Sequence, residues 1–251
     1  MEAVRPIVLS IAGFDPCGGA GILADIKTFE QHKVFGLAVN TAQTLQTEDL
    51  FISIKWVAEK DILKALETLL NRYDVTAVKI GVVENIDRLK NIISFVHQKK
   101  AGIKIIVDPV IKSSSGFVFW NEQIEEKSLI EMLSQVFLIT PNYNEVLQLM
   151  PSAIAKDAAQ KISAHCNVLL KGGHNEEEKG VDYLFTKNGV VKFDPGSADG
   201  SAKHGSGCVL SAAITANIAL GFSLQIACTN AKKYIEIFLS SNKTLLGYHH
   251  V

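Results

Sequence analysis

The chain has 251 residues, 47 % apolar and 20 % charged, with a formal net charge of −1. It is long enough to bury a large core as one α/β domain spanning 1–251, and no block of Lys or Arg points to nucleic acid or to an anionic membrane as a partner. No apolar run approaches the ~18 residues needed to cross a bilayer, and Met1–Pro6 lacks the layout of a signal peptide.

In chain order, Ile7–Ala12 reads as a buried strand, Ala20–Lys33 as a helix and Ala38–Thr44 as a second strand. Leu50–Val57 (LFISIKWV) alternates like an exposed strand. Glu59–Arg72 is predicted helical, Thr76–Ile80 a strand, Ile86–Lys99 a helix and Ile103–Val107 a strand. Gln123–Leu133, Val136–Ile139, Tyr143–Met150 and Val168–Leu170 continue the alternation. Val181–Phe185 and Val190–Phe193 read as a hairpin with an Asn-Gly turn, and Gly207–Leu220 and Leu224–Leu239 as two closing helices. Strand–helix alternation with continuously apolar strands predicts a mostly parallel sheet covered by helices on both faces. In such sheets ligands lie beyond the C-terminal strand ends, so those loops carry the chemistry.

After the first strand comes Gly13-Phe-Asp15-Pro-Cys17-Gly18-Gly19-Ala20-Gly21. Gly19-x-Gly21-x-x-Ala24 formally fits a dinucleotide fingerprint, but the acidic residue expected at the end of the second strand is absent from Gln43-Thr-Leu-Gln46-Thr47. Alternatively, the glycines let backbone approach a flat small molecule that Asp25 reaches as a hydrogen-bond acceptor, or Asp25 simply complements the helix dipole. Asp108-Pro109 suits either a carboxylate toward Mg²⁺ and phosphates or a turn. Asn142 and Glu145 share a face as metal holders, as a capping box, or as both. Lys171-Gly172-Gly173 places a phosphate-neutralising cation at a sharp turn. No GxxxxGK[ST] motif is present.

Lys203-His204-Gly205-Ser206-Gly207-Cys208 leads a small polar loop into a helix of small apolar residues. Unpaired N–H groups and the helix dipole there make an anion site, and the same field is expected to lower the Cys208 thiol below its free value of about 8.5. The plain alternative is a helix start that buries a cysteine as a small hydrophobe. The four cysteines, Cys17, Cys166, Cys208 and Cys228, lack metal-finger spacing or a disulfide framework, which fits a reducing cytoplasm.

Taken in order, AGFDPCGGAGILADIKTF, KIGVVE, VDPV, LITPNYNE, LLKGGH and KHGSGC…SAAI resemble the hydroxymethylpyrimidine/phosphomethylpyrimidine kinases of thiamin biosynthesis, from about Ile7 to Leu220. The resemblance implies a ribokinase-like three-layer α/β/α fold. It implies ATP and Mg²⁺ as cofactors, an aminopyrimidine substrate and a homodimer. By the same resemblance Gly205, Ser206 and Gly207 form the anion hole and Cys208 is the general base. Asp108, Asn142 and Glu145 hold the metal, and Lys171 lies at ATP. Gly13, Asp25, Gln46, Val82 and Val110 surround the pyrimidine. Cys17 stands where serine is commoner, Ser114 where some members have lysine, and Ser206 where threonine is commoner. A pyridoxal or pyridoxine kinase, and a pyrimidine-binding sensor without turnover, are the competing functions.

Overall fold

Among the described residues, nine strands form one sheet in the order β3-β2-β1-β4-β5-β6-β7-β8-β9. The structure is a computed structural model and describes residues 4–113, 116–120, 124–175, 177–196 and 200–250. The strands are β1 (Ile7–Phe14), β2 (Phe35–Gln46), β3 (Phe51–Trp56), β4 (Val75–Ile80), β5 (Lys104–Val107), β6 (Leu138–Ile139), β7 (Asn167–Leu170), β8 (Asp182–Thr186) and β9 (Gly189–Phe193). Pairing is parallel from β2 through β7 and antiparallel for β2/β3, β7/β8 and β8/β9.

The helices are α1 (Gly21–Gln31), α2 (Glu59–Arg72), α3 (Ile86–Lys99), α4 (Glu126–Leu133), α5 (Tyr143–Leu149), α6 (Ala155–Ile162), α7 (Ser206–Ala219) and α8 (Leu224–Ser240). Alternation along the strands sends Leu9, Ile11, Val78 and Ile80 to a core shared with α2–α6. Val8, Ala77 and Ile106 enter the opposite core, formed with α1, α7 and α8. The molecule is thus the three-layer, mostly parallel α/β fold expected. Helix α7 buries every residue from Val209 to Ala219, as a helix apolar on all sides must.

Two details differ from the sequence reading. Helix α6 falls on AKDAAQKI, where the buried face is three alanines with Ile162 as its one large apolar residue. The hairpin closes over Lys187-Asn188, with Gly189 opening the return strand opposite Thr186. Ser114 and Gln123 lie outside the described residues.

The chain leaves β1 for β2 on one side and returns to β4 on the other. That reversal opens a crevice at the C-terminal strand ends. A staircase of backbone bonds holds the loops there in register. Gly81 N–H donates to the Ile11 carbonyl (2.9 Å), Asp108 to Ile80 (2.8 Å), Thr140 to Val107 (2.9 Å) and Lys171 to Pro141 (2.9 Å).

Candidate active site

The last three steps of that staircase deliver the polar side chains of Asp108, Thr140 and Lys171. Asp108, 2 % exposed, accepts from Lys171 Nζ at 2.7 Å and from Thr140 Oγ1 at 3.2 Å on one oxygen. Ser211 Oγ lies 3.4 Å from its other oxygen. Burial alone would raise the Asp108 pKa, but Lys171 and Lys79 outweigh it and hold the group below the usual carboxylate range. Lys171 stays charged above its ordinary value because Asp108 and Glu145 overcome its own desolvation.

Glu145 Oε2 is 3.9 Å from Lys171 Nζ and accepts the Asn142 N–H at 2.8 Å. Asn142 Oδ1 in turn accepts the N–H groups of Asn144 and Glu145, both at 2.9 Å. This is a complete capping box at the start of α5. Burial, reinforced by Asp108 and opposed by Lys171, pushes Glu145 up to about 7. The sequence allowed Asn142 to be cap and metal holder at once. Here its side-chain oxygen is committed to the cap, which leaves Asp108 and Glu145 as the carboxylates in the cleft.

The N-terminus of α7 closes the site. Gly205 is its N-cap, in the left-handed region at φ 73°, and no side chain caps the helix. A Cβ placed on Gly207 would lie 3.3 Å from Lys171 Nζ and 3.6 Å from Asp108 Oδ2. The first-turn N–H groups and the dipole therefore face the cation–carboxylate pair across a space that a side chain at position 207 would narrow.

Cys208, in the same turn, behaves against the sequence expectation. Burial pushes its thiol up to about 11, with Asp108 and Asp25 adding to the rise; Lys79 and a backbone hydrogen bond with Gly21 pull the other way. Desolvation beside two carboxylates outweighs the helix field, so Cys208 rests as a thiol.

Asp25 also needs correcting. Its side chain is fully buried. Its oxygens accept from Lys79 Nζ at 3.0 and 2.9 Å and from Ser10 Oγ at 2.5 Å. The carboxylate that was expected to reach a ligand is instead half of a fully buried ion pair. Burial opposes charge on both partners, raising Asp25, while Asp25, Cys208 and Asp108 keep Lys79 protonated. Lys79 was missed, although a lone lysine inside the buried run Thr76–Ile80 was a visible signal: a charge in a covered strand needs a partner.

Of the remaining expected residues, Gly13 and Val82 are adjacent, since a Cβ on Gly13 would sit 2.8 Å from Val82 Cγ1. Thr41 Oγ1 donates to the Val82 carbonyl at 2.6 Å. Gln46 Nε2 donates to Thr44 Oγ1 at 2.9 Å, and Thr44 Oγ1 donates to the Phe14 carbonyl at 2.9 Å. Gln46 is thereby tied to the residue after Gly13 while staying partly exposed. Val110 is half-buried just after Asp108. Beside this wall, the Phe51 and Phe117 rings stack at 4.4 Å, and Phe119 meets Phe51 edge-on at 5.6 Å.

A sequence model of the family described as phosphomethylpyrimidine kinase matches residues 15–251. The chain belongs to the phosphomethylpyrimidine kinase family. It is 34 % identical over 244 residues to a hydroxymethylpyrimidine/phosphomethylpyrimidine kinase of Rhizobium meliloti, covering 94 % of this chain and 91 % of that one. The crystal structure of a phosphomethylpyrimidine kinase from Clostridium difficile superposes with TM-score 0.78 at 31 % identity, covering 92 % and 98 % of the two chains. An ADP complex of Bacillus subtilis pyridoxal kinase gives TM-score 0.83 at 26 % identity, covering 98 % and 97 %. The family is one of phosphotransferases, and these neighbours have the ribokinase-like fold. Among the described residues no helix is long and apolar enough to cross a membrane.

Proposed function

We propose that the chain moves the γ-phosphoryl group of ATP to the hydroxymethyl oxygen of 4-amino-5-hydroxymethyl-2-methylpyrimidine, and then phosphorylates the resulting monophosphate. The observation that carries this reading is the meeting of Asp108, Lys171 and the open N-terminus of α7 around one point. A cation and first-turn N–H groups beside a carboxylate suit a phosphoryl group in flight, because phosphoryl transfer demands positioning and charge stabilisation above all.

The hydroxymethyl oxygen attacks γ-phosphorus as the bond to the β,γ-bridging oxygen breaks, and ADP departs with that electron pair. Lys171 and the N–H groups of Gly205, Ser206 and Gly207 receive the charge on the moving oxygens. The hydroxyl proton passes to Cys208 Sγ from its ionised fraction. Gly13, Gln46, Val82 and Val110 hold the ring, Gln46 offering both a donor and an acceptor to an aminopyrimidine edge. The hard oxygens of Asp108 and Glu145 fit Mg²⁺, with Asn142 acting through the helix cap. Asp108 and Glu145 would hold the ion, which would offset the charge of the phosphates. The reading extends to one kinase domain over 1–251, a homodimer and a cytoplasmic setting.

The Bacillus subtilis neighbour favours one competing substrate, pyridoxal or pyridoxine. A coupled ADP-release assay with pyrimidine, pyrimidine phosphate and pyridoxine separates the possibilities. The expected order of kcat/KM places both pyrimidines above pyridoxine. A reversed order transfers the assignment to the pyridoxal kinases. Saturable pyrimidine binding without ADP release makes the protein a sensor.

A further inference from the structure

A second polar group joins the β1–α1 loop to the segment that leads into α7, and the phosphoryl chemistry makes no use of it. Asp15 Oδ2 lies 3.0 Å from His204 Nε2 and 3.2 Å from Cys17 Sγ. The same oxygen accepts the Ala20 N–H at 2.8 Å, and Asp15 Oδ1 accepts the Cys17 N–H at 3.1 Å. One carboxylate oxygen, one imidazole nitrogen and one sulfur all lie within 4.8 Å of one another. Asp15 is 1 % and His204 7 % exposed, whereas Cys17 is only partly buried. The group is therefore walled by protein on two sides and reached through the sulfur.

The donor set decides the class of ligand. Mg²⁺ and Ca²⁺ take oxygens, whereas an S, N, O trio suits a borderline-soft ion of the Zn²⁺ kind. On a tetrahedral ion with bonds of about 2.0–2.3 Å, such donors stand roughly 3.4–3.7 Å apart. The two measured separations have to open by only a few tenths of an ångström to reach that spacing. Two protons now hold the atoms together at hydrogen-bond distance, and a cation can take their place.

We propose that Asp15, Cys17 and His204 form a binding site for a Zn²⁺-class divalent cation, with solvent in the fourth position. On binding, the Cys17 thiol releases its proton to solvent and a metal–sulfur bond forms. The Nε2 proton that faces Asp15 also passes to solvent, Nδ1 carrying the proton of the neutral ring, so that the imidazole binds through Nε2 and no oxidation or reduction occurs. Because Asp15 and His204 are 189 positions apart in sequence, the ion clips two distant segments and binds the folded chain in preference to the unfolded one.

The test uses the full chain, stripped by a chelator and titrated with Cd²⁺, whose thiolate complexes absorb in the ultraviolet, and separately with Zn²⁺. The wild type and Cys208→Ser should each take up one Cd²⁺ with the charge-transfer band and unfold at higher temperature when Zn²⁺ is present. Cys17→Ser, which retains a side-chain donor toward Asp15, should keep kinase turnover as proof of its fold. It should lose the band and bind Zn²⁺ at least about 100-fold more weakly. Alkylation followed by peptide mapping supplies a variant-free readout, in which Zn²⁺ should slow modification of Cys17. Absence of the band in the wild type, its survival in Cys17→Ser, or a Cys17 alkylation rate indifferent to Zn²⁺ overturns the proposal.

Discussion

Cys208 concentrates the chemistry of one side chain. The helix field, Lys79 and the Gly21 backbone favour its thiolate, yet burial beside Asp108 and Asp25 pushes the thiol up to about 11. A base must be unprotonated to act, and below its pKa the unprotonated fraction grows tenfold per pH unit. If Cys208 takes the hydroxyl proton, kcat rises steeply from about pH 6 to pH 9 in the wild type. Cys208→Ala then folds normally, loses most turnover and loses that slope. A flat wild-type profile, or an alanine variant with unchanged kcat, removes the cysteine from proton transfer. The same stretch of sequence had indicated a lowered pKa, because a helix start is visible in sequence whereas Asp25 and Asp108 arrive only through the fold. Asp25 itself could not be placed from its own helix, since its partner Lys79 is 54 positions away on β4.

Among the elements, α7 owes its position to Gly205 as much as to its apolar length. At φ 73° an L side chain is strained, and a Cβ there would collide with the Gly19 carbonyl oxygen in the β1–α1 loop. Gly205→Ala should therefore cost about 2–4 kcal/mol of stability, combining left-handed strain with a backbone clash that no rotamer relieves. It should also depress turnover by moving the anion-binding N–H groups. Gly173→Ala is the control, because a Cβ at that position meets nothing within 4 Å. Chemical denaturation of both variants checks this, and equal midpoints would show that the contact with Gly19 is relaxed in solution. The element pattern was largely legible: α2 and α3 have the predicted bounds, because a strong 3.6-residue periodicity and a polar flank mark both ends. Helix α6 was not, since apart from Ile162 only alanines supply its buried stripe. The strand-end loops announced Asp108, Asn142, Glu145 and Lys171 as candidates, while the commitment of Asn142 to the cap required coordinates.

For the whole molecule, the C-terminal segment braces the phosphoryl site from behind. Lys203 is 5 % exposed. Its Nζ donates to Ser201 Oγ, Asn242 O and Thr244 O, each at 2.6 Å, with Asn242 Oδ1 at 3.2 Å. The next residue extends the brace, as the His204 N–H donates to the Leu245 carbonyl at 2.9 Å. Leu246 lies against the β1–α1 loop, where a Cβ on Gly19 would approach its Cδ2 to 2.9 Å. The chain therefore runs from the end of α8 back over the approach to α7 and onto the first loop of the sheet, fixing both walls of the anion site together. Lys203→Met keeps the length of the stem but removes the ammonium that donates to these two carbonyls and to the Ser201 hydroxyl. Asn242 O keeps the Ser201 hydroxyl at 3.1 Å and the exposed Thr244 can turn to water, so the loss is that of the buried ammonium's own bonds, about 1–3 kcal/mol. Turnover should fall further than stability alone explains, because the loop carrying Gly205–Cys208 loses its fixed start. Measuring kcat well below the unfolding temperature separates the two effects. A variant with lowered stability but full kcat would confine Lys203 to holding the fold, and would show that the anion site keeps its geometry without the brace.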